Sequence, residues 1–251
     1  SGNNFSQMFY QCASLEKLDI SSFETRNVTT FKEMFRGCSS LRALDLSHFD
    51  TSAATTFASM FYNCNSLSSL NVSMFDTSAA TDVSQGFYGC GSLTELDLSK
   101  ASTAKVETFY GMFSGCSGLT RIDLSLLDTS SAKNLSYLFA DCSKLESVNV
   151  SGIKTSTVTD FNHMFSGCSS LKSLDLSSFD TSAAKDLSCL FYGCSSLASL
   201  NLSSFDTSNV EQMANLFYNC SKLAEVTLGE SFTWVGSKCF LPQPNATFIP
   251  G

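Results

Sequence analysis

Apolar and polar residues alternate in a short stretch that returns throughout the chain. In one copy, Leu174 and Leu176 flank the polar Asp175, and Leu171 stands three residues before Leu174. An alternation with a period of two places the leucines on one side of an extended backbone and the aspartate on the other. The pattern therefore predicts a short β-strand with Leu174 and Leu176 pointing inward and Asp175 pointing outward.

The spacing of apolar residues changes after each predicted strand. Val158, Phe161, Met164 and Phe165 fall at intervals of three and one, so they would share one face of an α-helix. Gly167 follows at the position where a glycine commonly ends a helix. This second pattern predicts a helix of about two turns in each repeat unit.

The two patterns recur with a constant period. A phenylalanine stands three residues before, and a leucine three residues after, each of the cysteines Cys12, Cys38, Cys64, Cys90, Cys116, Cys142, Cys168, Cys194 and Cys220, which are 26 residues apart. A constant period stacks equivalent residues in columns along one axis, and the strands of successive coils then form a parallel ladder. The sequence thus predicts an α/β repeat solenoid, with strands on one face and short helices on the other.

The repeat divides the chain into an array and an ending. Residues 1–228 are predicted to form nine coils, and the first coil starts in the middle of a unit, which suggests a fragment of a longer protein with an open apolar edge. From Gly229 the pattern stops, and this segment holds Trp234 and all three prolines. Because a solenoid needs an element that covers its last core face, we interpret residues 229–251 as a C-terminal cap.

The Met-Phe-x-Gly-Cys motif, as at Met34–Cys38, and the Leu-Asp-Leu-Ser strand after it resemble the repeats of BspA-like leucine-rich-repeat surface proteins. The subtype is that of mycoplasma-type surface lipoproteins, and the resemblance covers essentially the whole chain. It implies an extracellular or cell-surface location and, for several relatives, adhesion, and it supplies no catalytic residues. Gly86 replaces the usual Met, and Ala101 with Ser102 replaces Phe-Asp, so the coil around Cys90 is expected to differ in shape.

The polar residues carry little charge. Charged residues make up 15% of the chain, and the formal net charge is −8 at pH 7. Nucleic acids and anionic membrane surfaces are bound by clustered Lys and Arg, so neither is an expected partner. The sequence also lacks the run of about 18 apolar residues that a membrane span requires, and no membrane insertion is expected.

The cysteine column has three possible interpretations: disulfides, a metal site or buried thiols. Zinc sites need ligands two to four residues apart, and the sequence has no Cys-x-x-Cys. Cysteines stacked about 4.8 Å apart would point the same way and are odd in number, which disfavours disulfides. We therefore expect buried free thiols and neither metal nor cofactor. Off the column, Cys189 follows His163 by one unit, which makes a Cys-His pair conceivable. Because that position holds many residue types in other units, we expect it to be solvated, and no catalytic residue is predicted.

A row of acidic and amide residues on the outward side of the predicted strands supplies the candidate binding residues Asp19, Asp45, Asn71, Asp97, Asp123, Asn149, Asp175 and Asn201. A second acidic row follows at the turn after each strand, as at Asp50 and Asp180. Like charges about 4.8 Å apart repel, and a cation such as calcium, hydrogen bonds or solvent could offset the repulsion. For the turn row we favour hydrogen bonds, because Asp-Thr-Ser is typical of turns in which the carboxylate accepts backbone N–H groups.

A threonine follows the second acidic row in every unit, at Thr25, Thr51, Thr77, Thr103, Thr129, Thr155, Thr181, Thr207 and Thr233. A regular threonine row on a flat solenoid could match an ice lattice. This row lies at a turn, however, and we favour hydroxyl hydrogen bonds that tie one coil to the next.

These patterns predict a non-enzymatic recognition module that binds a protein or a glycan on a host or neighbouring cell surface through the strand face. The rival hypothesis is a structural spacer that displays another domain of a longer surface protein. An enzyme is not expected, because the two histidines lie in unrelated columns and no nucleophile or phosphate-binding motif is present. A second candidate surface is the group of tyrosines beside the phenylalanine column, Tyr10, Tyr62, Tyr88, Tyr192 and Tyr218.

Overall fold

The structure is a computed structural model that describes residues 2–72 and 74–236, together with the backbone of residues 247–250. Its strands are short, and all but the last are built from the predicted Leu-Asp-Leu type of segment or its equivalent. They are β1 (Ala43–Asp45), β2 (Ser69–Asn71), β3 (Arg121–Asp123), β4 (Ser147–Asn149), β5 (Ser199–Leu202), β6 (Glu225–Leu228) and β7 (Thr247–Pro250).

The strands pair in parallel, as a repeat solenoid requires. β1 pairs with β2, β3 with β4, and β5 with β6, each with partners 26 residues apart such as Leu44 and Leu70. The predicted ladder is therefore present, but it is divided into three sheets. No strand is assigned at residues 17–19, 95–97 or 173–175, which are the equivalent positions in three coils.

A second ladder on the opposite side of the solenoid is continuous. It consists of single parallel bridges that join the equivalent residues Asn4, Thr30, Thr56, Asp82, Thr108, Asn134, Asp160, Asp186 and Gln212. We use these residues to number the coils, so that coil 1 starts at Asn4, coil 4 comprises residues 82–107 and coil 7 comprises residues 160–185. The unbroken bridges confirm that the coils of the described array stack in one register.

The prediction of a short helix in each coil is wrong. Among the described residues the structure has no helix, and the segment after Asp160 is a series of turns. The amides of Phe161 and His163 donate to carbonyl groups of the next coil, at 3.0 Å each, whereas the amide of Met164 donates back to Phe161 at 3.1 Å. Half of the amides are therefore used between coils, and an α-helix would need all of them within one coil.

The backbone angles show why a helix does not form. His163 has a φ of 55° and Gly167 a φ of 73°, and equivalent residues of the other coils also have positive φ. A right-handed helix requires negative φ at every residue. Positive φ at the third position of a four-residue turn is the geometry of a type II turn, and two such turns reproduce the intervals of three and one between the apolar residues.

The core consists of columns that run from coil to coil. The phenylalanines three residues before the cysteines stack with nearly parallel rings, for example Phe35 on Phe61 at 5.6 Å between centroids and 8° between planes. Phe35, Phe61 and their equivalents in the central coils are buried, as are most of the inward leucines. At the first coil the core opens to solvent, where Met8, the equivalent of the buried Met34, is 42% exposed.

The cysteine column consists of free thiols, and from Cys38 to Cys220 these are buried, as predicted. Each thiol donates to the carbonyl of a phenylalanine in the preceding coil, as Cys64 Sγ does to Phe35 O at 3.1 Å. Burial raises the pKa of Cys116 to about 12. Cys12 is an exception to the prediction, because it lies in the first coil and is exposed.

The threonine row is buried from Thr25 to Thr207 and connects the coils. Thr51 Oγ1 donates to the carbonyl of Asp76 in the next coil at 3.0 Å, and Thr25 Oγ1 accepts the amide of Asp50 at 2.8 Å. The predicted role in tying coils together is confirmed. A buried row cannot face an ice lattice, so the alternative interpretation is wrong.

At the C-terminal end the backbone of β7 extends the last sheet, with Thr247 opposite Glu225 in a parallel pair. Phe232 is buried, and the ring of Trp234 lies edge-on against Phe217 with 6.3 Å between centroids. These contacts place the segment over the last coil. The remainder of the predicted cap, including Cys239 and the first two prolines, lies outside the described residues.

Candidate binding surface on the strand face

The eight predicted binding residues are exposed on the strand face, and for seven of them the structure describes a hydrogen bond that holds the turn that follows. Asp175 Oδ1 accepts the amide of Ser177, two residues further on, at 2.9 Å. The same bond is made by Asp19, Asp45, Asp97, Asp123, Asn149 and Asn201. Each side chain therefore closes an Asx turn at the end of its strand.

Hydrogen bonds stabilise the ionised carboxylates of the two acidic rows. Hydrogen bonds from the side chain and backbone of Ser99 lower the pKa of Asp97, and those from Ser177 lower the pKa of Asp175. The turn row behaves in the same way, since Asp180 Oδ1 accepts the amide of Ser182 at 3.0 Å. The prediction of hydrogen bonds at the turn row is confirmed, and the carboxylates of the strand row remain ionised at neutral pH.

A groove crosses the strand face over coils 3 to 6. It has a volume of about 840 Å³, and four of the predicted binding residues line it, Asn71, Asp97, Asp123 and Asn149. The other four, Asp19, Asp45, Asp175 and Asn201, lie on the same face outside the groove. The structure thus divides a row that is uniform in the sequence into a groove segment and two flanking segments.

The groove also contains residues that the sequence did not single out as a site. Glu95 and Arg121 lie on its rim, 4.0 Å apart, and both side chains are more than three-quarters exposed, so this ion pair contributes little to stability. The floor includes Leu70, Leu96 and Val148, which are only partly buried. The residue type at the Glu95 position changes from coil to coil, but this variation did not mark a site, because solvated positions vary in the same way.

The tyrosine row is less suited to hold a ligand. Tyr62 and Tyr88 stack face to face at 4.4 Å with 4° between planes, and the guanidinium of Arg36 lies 4.0 Å from the centre of the Tyr62 ring. Tyr192 and Tyr218 stack at 5.2 Å. Because these rings cover each other's faces, they stabilise adjacent coils and leave mainly edges for a partner.

Cys189 and His163 do not form an activated pair. Burial raises the pKa of the Cys189 thiol, and a nucleophilic cysteine needs a lowered one. The ring of His163 stacks on Tyr137 at 4.6 Å, and burial lowers its pKa. The prediction that this position is solvated is wrong for Cys189, which is partly buried.

In the part of the chain that the structure describes, no group of three or more His, Cys, Asp or Glu side chains is arranged to hold a metal ion. Within the same residues, no helix has the length and hydropathy that crossing a membrane would take.

One family model matches most of the chain. Its description is "Mycoplasma protein of unknown function, DUF285", and it matches residues 3–121, 68–153 and 107–230 in overlapping segments. A comparison with curated proteins gave no match.

Solved structures that are similar to most of this chain include the following three. A leucine-rich cell surface protein from Faecalibacterium prausnitzii is 18% identical, with a TM-score of 0.39, over 88% of this chain and 68% of the other. A leucine-rich repeat protein from Bacteroides ovatus is 17% identical, with a TM-score of 0.31, over 98% and 86%. An internalin from Listeria monocytogenes is 14% identical, with a TM-score of 0.21, over 84% and 83%. At these TM-scores the likeness carries no argument for this chain.

Proposed function

This chain belongs to the DUF285 family, and we propose that it is a non-enzymatic recognition module of the BspA-like type, built from the 26-residue Met-Phe-x-Gly-Cys repeat. We place it at the cell surface or outside the cell, where it binds a protein or a glycan of a host or neighbouring cell. The observation that supports this proposal is the groove across coils 3 to 6, where exposed charged and polar side chains lie beside the partly buried apolar residues Leu70, Leu96 and Val148.

The charges of the groove define the kind of contact that it favours. Glu95, Asp97 and Asp123 contribute three carboxylates, and Arg121 contributes one guanidinium. The groove is therefore net negative, and it favours a partner whose contacting groups are positively charged or are hydrogen-bond donors. Such electrostatic complementarity acts mainly on specificity and on the rate of association.

The absence of catalysis is part of the proposal. The ring of His48 contacts the backbone carbonyl of Ile20 at 2.9 Å, and His163 is stacked on Tyr137. Neither histidine is placed beside a nucleophile with a lowered pKa, as acyl or phosphoryl transfer would require. Binding is the function that these surfaces support best.

The proposal is tested by separating the charge of the groove from its role in the turns. Asn149 Oδ1 accepts the amide of Ser151 at 3.2 Å, so asparagine keeps the turn while it removes the charge. We therefore propose the double variant Asp97→Asn with Asp123→Asn in the groove. The matched control is Asp19→Asn with Asp175→Asn, which removes the same charge from the same face outside the groove.

Parent and variants are passed over immobilised glycans and purified surface proteins from host cells at two salt concentrations. We expect the parent to be retained by at least one of these ligands. The groove variant should bind that ligand about tenfold more weakly, which corresponds to roughly 1.4 kcal/mol. Equal losses in both double variants would contradict binding in the groove, and a parent that is retained by no ligand would favour the spacer hypothesis.

A further inference from the structure

Coil 4 departs from the repeat at two positions that face the same part of the core. Gly86 stands in a column that otherwise holds methionine or leucine, such as Met60 and Met112 in the adjacent coils. Ala101 stands in a column of larger residues, with Phe75 before it and Leu127 after it. Both changes remove most or all of a side chain from one place.

The neighbouring coils do not fill the space. A cavity of about 50 Å³ remains, and its lining includes Gly86 and Ala101 together with Phe75, Phe87, Leu98 and Met112. The lining is almost wholly apolar, and Thr77 and Thr103 are its polar members. A cavity with such walls stays dry and binds apolar atoms or small hydrocarbons, as a cavity of roughly 150 Å³ does for benzene or xenon.

The cavity lies close to the surface at Ala101. Ala101 is partly exposed, whereas Phe75 and Leu127 at the equivalent positions of the adjacent coils are buried. Ser102 follows at the turn position where Asp76 and Asp128 stand in those coils, so a carboxylate is also missing beside this point. Three departures within one coil therefore remove bulk and charge around a single void.

Exposed apolar side chains flank the same turn. Met74 in coil 3 and Leu126 in coil 5 are 58% and 68% exposed, the highest values among the large apolar residues of the described chain. They occupy the position of Lys100, one coil to either side. They do not line the cavity themselves, but the residues that follow them, Phe75 and Leu127, do. Exposed apolar residues next to the wall of a cavity are a feature of ligand sites, while single scattered ones are not.

Backbone geometry does not account for the glycine. Gly86 has no positive φ, and a Cβ atom at this position would meet the carbonyl of Val83 at 3.2 Å and Met112 Cγ at 4.0 Å. A shift of a few tenths of an ångström would admit a side chain. The void is therefore not imposed by the path of the chain.

We propose that this cavity is a binding site for the end of a neutral aliphatic chain. The terminal one or two carbons would fill the cavity past Ala101, and the following carbons would lie against Met74 and Leu126. The proposal does not depend on recognition through the strand face. It identifies a second site, which is apolar, whereas the groove on the strand face is charged.

Xenon and 1-pentanol are the probes. Each is titrated into the intact chain while the ¹³C-methyl resonances of Met60 and Met112 are recorded. We expect saturable shifts with both probes in the parent. The variant Gly86→Met with Ala101→Phe restores the repeat and should lose both responses, with at least a tenfold weaker affinity.

Two controls make the result decisive. Leu138→Met lies in the Gly86 column, two coils away and fully buried, and it should leave both responses unchanged. Leu126→Ser removes the rim without filling the cavity, so it should weaken 1-pentanol binding and spare xenon. No xenon response in the parent, or an equal response in the refilled variant, would overturn the site. A pentanol response that is insensitive to Leu126→Ser would overturn the placement of the chain on the rim.

Discussion

Coil 4 and coil 7 have the same backbone and different interiors. Each continues the bridge ladder, at Asp82 and Asp160, and each has positive φ at the two equivalent turn positions. In coil 7 the core is complete, with Met164 and Phe179 buried. In coil 4 Gly86 replaces the methionine, and the equivalent of Phe179 is an alanine. The frame of a coil is therefore set by hydrogen bonds and turns, and side-chain volume can vary within it.

The first prediction transfers the defect of coil 4 to coil 7. Met164→Gly with Phe179→Ala removes two buried side chains that pack against intact neighbours on both sides. Truncation of a buried methionine costs about 2 to 5 kcal/mol and that of a buried phenylalanine about 3 to 5 kcal/mol, so we expect a loss of at least about 5 kcal/mol in the free energy of unfolding. Urea denaturation measures this loss. A loss below about 2 kcal/mol would show that the hydrogen bonds and turns of the backbone alone stabilise a coil.

The second prediction repairs coil 4. Gly86→Met with Ala101→Phe fills the cavity and also removes the conformational freedom of a glycine in the unfolded chain. We expect a gain of about 1 to 3 kcal/mol in the free energy of unfolding, measured by the same denaturation experiment. A destabilised double variant would mean that the neighbouring coils have closed around the smaller side chains and no longer accept the consensus residues.

These differences explain how much the sequence could predict. Columns of Phe, Leu, Cys and Thr follow from a constant period, because equivalent residues of stacked coils meet the same environment. The helix prediction failed because the apolar spacing of a single unit fits both a helix and two successive turns. The amides that bond to the next coil, such as those of Phe161 and His163, distinguish the two structures. The sequence of a single unit does not show such bonds between coils.

The first turn position shows a further limit of the sequence. Positive φ is usually signalled by glycine, but this position holds Tyr137, His163 and Cys189 in three successive coils. The contacts between coils hold these residues in a conformation that they rarely adopt alone.

The candidate site was only partly predictable for a similar reason. The outward row was evident from the alternation, but the groove is formed by residues of four successive coils, and their relative positions cannot be derived from one unit.

The third prediction uses the buried thiols to compare the local stability of the two coils. Cys90 and Cys168 have no exposed surface, and burial raises the pKa of both. They can react only when their coil opens. The rates are compared in variants that retain one cysteine each. We expect Cys90 to be alkylated about tenfold faster than Cys168. The reason is that a loss of roughly 1.4 kcal/mol in the stability of coil 4 would make its opening about tenfold more frequent. Cys12 is exposed and serves as the fast reference, and equal rates for the two buried thiols would show that the cavity does not weaken its coil.

The last prediction concerns the feature that the two coils share. Asp97 and Asp175 each close an Asx turn, and hydrogen bonds from the following serine lower the pKa of both carboxyls. A carboxyl with a lowered pKa in the folded state stabilises the protein above its unfolded pKa of about 3.9, and this contribution is lost as the pH falls through the folded-state value. Asp97→Asn and Asp175→Asn should therefore each reduce the decline in stability below about pH 4, by small and equal amounts. Thermal unfolding at pH 7 and at pH 3 measures the effect. A larger change for Asp97→Asn would show that the missing side-chain volume in the core of coil 4 also affects the turn after Asp97. The backbone conformation of a coil would then depend more on side-chain volume than the comparison of the two coils indicates.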